Sequence, residues 1–238
     1  PPEVNNRYAP FPTPPSDTQP KLDARGRYAE QTRWTEELAA NTRARMDGNS
    51  HHYYTLPTGD WSVKGPATGF GDEEWLATLR QTLLVDEYLA LNDAVLDEHY
   101  PDGDIGIYLD EWGTWYDPEP GSEAGFLYQQ NSIRDAVVAA LNFNIFHRHA
   151  RRLHMANIAQ TVNVLQAVIL TDGPKMLRTP TYHAFEMYVP FQDATFVPVE
   201  VEDDPGIRVN DMTLPRVSAS AALTESGDLV LALVNLHA

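Results

Sequence analysis

Between residues 73 and 99 apolar positions return every three or four residues, from Trp75, Leu76 and Leu79 through Tyr88 to Leu96, with acids on the opposite side. That period predicts a long amphipathic helix, and Asp72 stands where a capping side chain is expected. Pro101 to Gly103 breaks the pattern. The run that follows, Ile105-Gly106-Ile107-Tyr108-Leu109-Asp110, reads as a buried parallel strand over 104–110. A second long helix is expected over about 126–149, burying Ile133, Val137, Leu141 and Ile145, and another strand over 153–158. Val162 to Leu170 is apolar almost throughout and fits either a strand or a buried helix. Thr179-Pro180-Thr181 predicts a helix start, since proline suits the first turn. Upstream, a short helix is expected from Thr35 to about Arg45, then a strand ending at Thr55 that carries His51-His52-Tyr53-Tyr54.

Beyond Phe191 the pattern changes. Ala194–Val201, Val217–Leu223 and Leu229–Val234 are short and β-rich, the last following Gly227-Asp228, and they suggest antiparallel hairpins. At the other end, seven prolines fall within residues 1–23 and argue against regular structure. Three segments are therefore expected: a Pro-rich arm over 1–30, an α/β portion over 31–191, and an antiparallel β portion over 192–238. Strand–loop–helix units with polar residues at each strand's carboxyl end are the pattern of a (β/α)8 barrel. Residues 31–191 are fewer than the ~200 or more that a closed barrel needs. The expected fold class is α/β, a partial TIM-type barrel followed by part of a β-sandwich.

Composition narrows the partners. Seventeen Lys and Arg stand against 34 Asp and Glu, a formal charge of −17, which disfavours nucleic acid and anionic membranes. A neutral saccharide is compatible with it. No cysteine is present, so disulfides and thiolate metal sites are excluded. No run reaches the ~18 apolar residues of a membrane span, and no basic-then-apolar leader is visible near Pro1, so a soluble, cytoplasmic protein is expected. His147, His149 and His154 mimic ligand spacing, but the first two face different ways on a helix, and no metal is expected.

The candidate chemistry sits after the strand at 104–110. Glu111 lies at its carboxyl end, where side chains meet substrate in α/β folds. Asp110 is expected on the opposite side, by strand alternation. Trp112, Trp115 and Tyr116 offer flat faces suited to sugar rings. The plainer alternative is a buried strand and a surface turn with an incidental acid. Of His51 and His52 at most one can face a site. The loops 56–72 and 117–125 are the ones that would govern substrate length.

Leu109-Asp110-Glu111-Trp112-Gly113-Thr114-Trp115-Tyr116 resembles the α-L-arabinofuranosidases of glycoside hydrolase family 51. The likeness extends through Gly125–Asn131, Met155–Gln160, Asn163–Gln166, Thr179–His183 and Asp47–Tyr54. It implies a (β/α)8 barrel with a β-sandwich, a cytoplasmic homo-oligomer, and removal of arabinofuranosyl groups from arabinan and arabinoxylan with retention. It also implies that Glu111 is the nucleophile, that His52 and Tyr54 line the sugar subsite, that Trp115 and Gln160 touch the arabinose, and that no metal or organic cofactor is used. One motif departs from the family: its general acid belongs to a Gly-Asn-Glu sequence, and no Asn-Glu pair occurs here. A fragment, a second chain that supplies the other barrel half, and a non-hydrolytic relative all fit that departure. Endo-glucanase or xylanase activity and a non-catalytic carbohydrate-binding or assembly role are the alternatives to arabinofuranoside hydrolysis.

Overall fold

A computed structural model describes residues 29–41, 46–209 and 212–238. The Pro-rich arm expected over 1–30 lies outside them except for its last two residues. In chain order, helix α1 (Ala29–Asn41) leads to strand β1 (Gly48–Thr55), helix α2 (Asp72–His99) and strand β2 (Gly106–Thr114). Helix α3 (Ile133–Arg148), strand β3 (Leu153–Ile158), the hairpin β4 (Ile169–Asp172) and β5 (Lys175–Arg178), and helix α4 (Pro180–Tyr188) follow. The β-rich end comprises β6 (Thr195–Val197), the hairpin β7 (Ile207–Val209) and β8 (Met212–Leu214), β9 (Val217–Leu223) and β10 (Leu229–Asn235).

β1, β2 and β3 pair in parallel in that order, with α2 and α3 as their connections. This is α/β, but among the described residues the sheet is open: its three strands leave two edges and close no barrel. The second sheet is antiparallel, in the order β10-β9-β6, and forms one layer rather than two facing ones. Leu229, Leu231 and Leu233 stand exposed along β10.

Helix ends depart from expectation for local reasons. α2 is capped from Gly71, whose N–H donates to the Glu74 carboxylate at 2.9 Å, so Asp72 lies inside the first turn. α3 starts at Ser132, later than the pattern suggests. Ser132 Oγ accepts from Arg134 N at 3.2 Å and Asp135 accepts from Ser132 N at 2.8 Å, a reciprocal cap. Ile133 is consequently exposed, whereas Leu141 and Ile145 are fully buried. Residues 162–168 form neither strand nor helix, because Asn163 (φ 61°) and Leu165 (φ 52°) adopt left-handed backbone.

The core lies between the parallel sheet and its helices: Leu79, Leu89 and Leu96 of α2 meet Ile107 and Leu109 of β2 and Leu141 and Ile145 of α3. Each such side chain contributes about 1.5–3 kcal/mol on burial. Buried Arg152 ties the lower end together. Its Nε donates to Asp93 Oδ1 at 2.9 Å, its Nη1 to Ile105 O at 2.8 Å and its Nη2 to Tyr100 O at 3.1 Å.

Strand alternation separates the paired histidines. His51 is buried against α2, its Nδ1 bonded to Tyr88 Oη, and burial together with the charge of His52 lowers its pKa to about 3. Folded His51 therefore stays neutral where an unfolded histidine takes up a proton. Its stabilising effect is complete above about pH 6.5 and is lost as pH falls toward 3. Urea unfolding at pH 7.5, 6 and 5 should show stability falling by up to about 1.4 kcal/mol per pH unit from this residue. His51→Gln should flatten that slope, and an unchanged slope would refute the assignment.

Candidate active site at the carboxyl end of the parallel sheet

β2 runs past Glu111 to Thr114, so the acid lies within the strand rather than beyond it. The pairing explains where it points. His51 pairs with Leu109 and His52 with Glu111, while on the other side Leu109 pairs with Ala156 and Trp112 with Ile158. Against both neighbours β2 carries one extra residue, a bulge at Asp110. Simple alternation would send Asp110 and Glu111 to opposite faces; the bulge brings them to one. Ser50 Oγ donates to Asp110 Oδ2, and Tyr54 Oη donates to Glu111 Oε2 at 2.6 Å. Ser50, His52 and Tyr54 alternate along β1 and share its open face, and His52 Nδ1 lies 3.5 Å from Glu111 Oε2. Residues His51 and Tyr53, on the other face, bond instead to α2 at Tyr88 and Gln81.

The bulge also sends Trp112 to the helix side. Its exposure is 1%, and its ring lies 5.6 Å from Phe143, 5.3 Å from Phe146 and 6.1 Å from Phe185. Tyr116, also 1% exposed, sits 4.3 Å beneath the Arg134 guanidinium. Neither offers a sugar-binding face, contrary to the sequence reading. Trp115 does: it is half-buried, its ring 4.9 Å from Tyr54 and 5.1 Å from Trp61. Trp61 belongs to the loop between β1 and α2. The sequence marked that loop for its length, but gave no role to this tryptophan. Gln160 is exposed just past β3, at the same end of the sheet, with its carbonyl accepting from Val168 N at 3.2 Å. The structure thus brings His52, Tyr54, Glu111 and Trp115 together. Among the described residues it shows no hydrogen bond from the Gln160 side chain to any of them.

A buried polar network fixes the end of β2. Gln166 Oε1 accepts from Thr114 N at 2.8 Å and Gln129 Oε1 from Tyr116 N at 2.8 Å. Thr114 Oγ1 donates to Asp135 Oδ1 at 2.7 Å, and Gln166 Nε2 to Asp135 O at 2.7 Å. Gly113 (φ 149°) permits this approach, for an added Cβ would lie 3.2 Å from Ala159 O and 3.3 Å from Gln166 Oε1. Burial raises the Asp135 pKa against the opposing effect of its hydrogen bonds. Gln129 and Gln166, prominent in the sequence likeness, therefore hold the backbone on which Glu111 is mounted.

Tyr54 has its pKa pushed above the ordinary tyrosine value, first by burial and then by its bond to Glu111 and that group's charge. It remains a proton donor to the carboxylate throughout the neutral range. A carboxylate with a fixed donor, a half-exposed imidazole and an aromatic wall can hold a neutral polyol and act as a nucleophile. His147 and His149 have separate partners, Ser220 at 2.8 Å and Asp86 at 2.7 Å.

Residues 110–234 match the model of the α-L-arabinofuranosidase C-terminal domain. The chain belongs to glycoside hydrolase family 51. An intracellular exo-α-L-arabinofuranosidase of Bacteroides ovatus is 44% identical to this family 51 chain over 206 residues, which are 87% of the chain and 40% of that protein. The crystal structure of a family 51 arabinofuranosidase from Xanthomonas axonopodis pv. citri superposes with a TM-score of 0.83 at 49% identity, covering 86% of this chain and 41% of that one. An arabinose complex of the Thermotoga maritima α-L-arabinofuranosidase gives a TM-score of 0.68 at 24% identity over 87% of this chain and 41% of that one, a likeness of fold alone. The family 51 chain spans about 40% of the length of the curated relatives it matches over most of its own length. The antiparallel portion falls within the matched C-terminal domain, which is of β-sandwich type. No helix among the described residues is long and apolar enough to cross a membrane.

Proposed function

We propose that this protein works as a retaining α-L-arabinofuranosidase that releases terminal arabinofuranosyl groups from arabinan and arabinoxylan oligosaccharides, with Glu111 as its nucleophile. The observation that carries this reading is the 2.6 Å bond from Tyr54 Oη to Glu111 Oε2 at the carboxyl end of β2, beside Trp115. The names of the relatives support the same activity. In this reading residues 31–191 are a portion of a (β/α)8 barrel, residues 192–238 are a portion of the sandwich, and the protein is a cytoplasmic homo-oligomer. His52 and Tyr54 orient Glu111 and the furanose, while Trp115 and Gln160 bind the sugar.

In the first step a Glu111 oxygen attacks the anomeric carbon as the bond to the leaving oxygen breaks, and that oxygen takes a proton from a general acid. Water then attacks the anomeric carbon of the glycosyl ester and gives its proton back to that acid's conjugate base, which restores the carboxylate and releases arabinose with its configuration retained. A retaining pair stands roughly 5–5.5 Å apart. Asp110, on the same face, is already held by Ser50.

Two substrates test the reading. An aryl arabinofuranoside with a good leaving group needs little protonation, whereas an arabino-oligosaccharide depends on an acid worth about 10²–10⁴-fold. Turnover of the aryl glycoside is the expected result. Turnover of the oligosaccharide as well would mean that an acid reaches the site. Turnover of neither overturns the hydrolase reading and favours a carbohydrate-binding role.

A further inference from the structure

Along α4 and the turn that follows it, six half-buried rings line one groove of about 690 Å³: Phe143, His147, Tyr182, Phe185, Tyr188 and Phe191. Five of them form a ladder. Phe143 lies 4.8 Å from both Phe185 and Tyr188, Phe191 lies 5.3 Å from Tyr188, and His147 stacks 4.7 Å from Phe191. Burial lowers the His147 pKa to about 4, so at neutral pH its imidazole is one more uncharged face. The groove lies on the helix side of the sheet, beside Ile158 of β3, and Phe143 and Phe185 back onto buried Trp112. It does not share the open face that carries Glu111.

A ladder of half-exposed rings is the surface that receives polyproline II. Proline rings seat between aromatic faces, and the extended backbone arrives with little freedom left to lose. Its unpaired carbonyls accept from hydroxyl groups, and Thr161 and Tyr182 stand in the lining. The sequence holds such a ligand. Pro10, Pro12, Pro14 and Pro15 fall within six residues that also include Phe11, and Pro12 and Pro15 have the P-x-x-P spacing. These positions precede Ala29, where the described residues begin.

Reach and charge agree with that pairing. The helices pack in the order α1, α2, α3, α4. Three interhelical steps of about 8–10 Å therefore separate the start of the described chain from the groove, roughly 30 Å in all. Thirteen residues stand between Pro15 and Ala29, and at about 3.1 Å each they span roughly 40 Å. Residues 1–28 carry four bases and three acids, a charge of +1, whereas the remainder carries 13 against 31, a charge of −18. The body attracts this segment where it would repel an acidic one.

We propose that residues 10–15 of the same chain occupy this groove in a polyproline II conformation, with Phe11 seated among its rings. The proposal stands apart from the arabinofuranosidase reading, since no lining residue of the groove belongs to the site at Glu111.

Photocrosslinking of the full chain, with p-benzoylphenylalanine in place of Phe11, tests it. Irradiation should join position 11 to residues 143–147 or 182–191, as read by mass spectrometry of the digest. The product should run as a single chain on a denaturing gel. Pro12→Ala combined with Pro15→Ala should cut the yield about tenfold, the scale of one lost apolar contact. Circular dichroism of that variant establishes that the fold is intact. Links to another surface, no link at all, or an unchanged yield in the proline variant overturns the proposal. Links to the groove that appear only between two chains assign it to a second copy's segment, and overturn docking within one chain.

Discussion

Replacing Glu111 by alanine should lower kcat/KM for an aryl arabinofuranoside by about 10⁴-fold or more, the order seen when a covalent nucleophile is removed. Tyr54 and His52 then face an empty position. Azide can enter the space, attack the anomeric carbon from the side the carboxylate used, and restore turnover. Its product is a glycosyl azide of inverted configuration, since one displacement replaces two. The fold should survive, because the Glu111 side chain is 43% exposed; its unfolding free energy should change by less than about 1 kcal/mol. Activity within tenfold of the starting protein would move the nucleophile elsewhere, with Asp110 the first alternative.

Trp112→Ala should produce the opposite profile. The ring is 1% exposed among Phe143, Phe146 and Phe185, so its loss leaves a cavity and costs about 3–5 kcal/mol in urea unfolding. That is a large part of the 5–15 kcal/mol typical of a folded domain. Trp112→Phe keeps the ring packing and should cost less. An unchanged urea midpoint accompanied by weakened arabinofuranoside binding would return Trp112 to the sugar site, where the sequence pattern suggested it belonged.

These two neighbours mark where the sequence was legible and where it was not. The apolar run of β2 and the placement of a carboxylate at its carboxyl end could be read directly, as could the division of His51 from His52, because β1 alternates without interruption. The bulge could not. One surplus residue leaves no trace in composition or hydropathy, so Asp110 was expected on the far side; Trp112 was read as a sugar face from its residue type alone, although alternation from Glu111 already turns it away. Tyr116 was misjudged for a related reason: its burial depends on Arg134, a partner contributed by α3 and invisible to local pattern. Trp61 becomes meaningful only when two loops distant in sequence are joined through Gly65 and Asp117.

Some local signals were present but hidden. Asp172-Gly173 is a hairpin pair, and it does turn β4 into β5 with Gly173 at φ 53°, yet the apolar stretch before it suggested a longer element. Ser132 and Asp135 carry a capping pattern that would have placed the start of α3 correctly. The partial-barrel expectation rested on counting strand–helix units, and among the described residues the three parallel strands form a small open sheet that does not show a barrel.

The surplus position in β2 lets one strand meet two conflicting demands. A ribbon that alternates strictly can offer its neighbours only every second side chain, so a reactive group and the anchor beneath it must be spaced by an odd number of steps. Here the register slips by one between Leu109 and Trp112, and the hydrophobic underlayer continues with its rings in place while two adjacent acids turn outward. Strict alternation of the same residues, without that slip, would reverse the two surfaces from Glu111 onward, sending the acid into the packed aromatics and the indole into water.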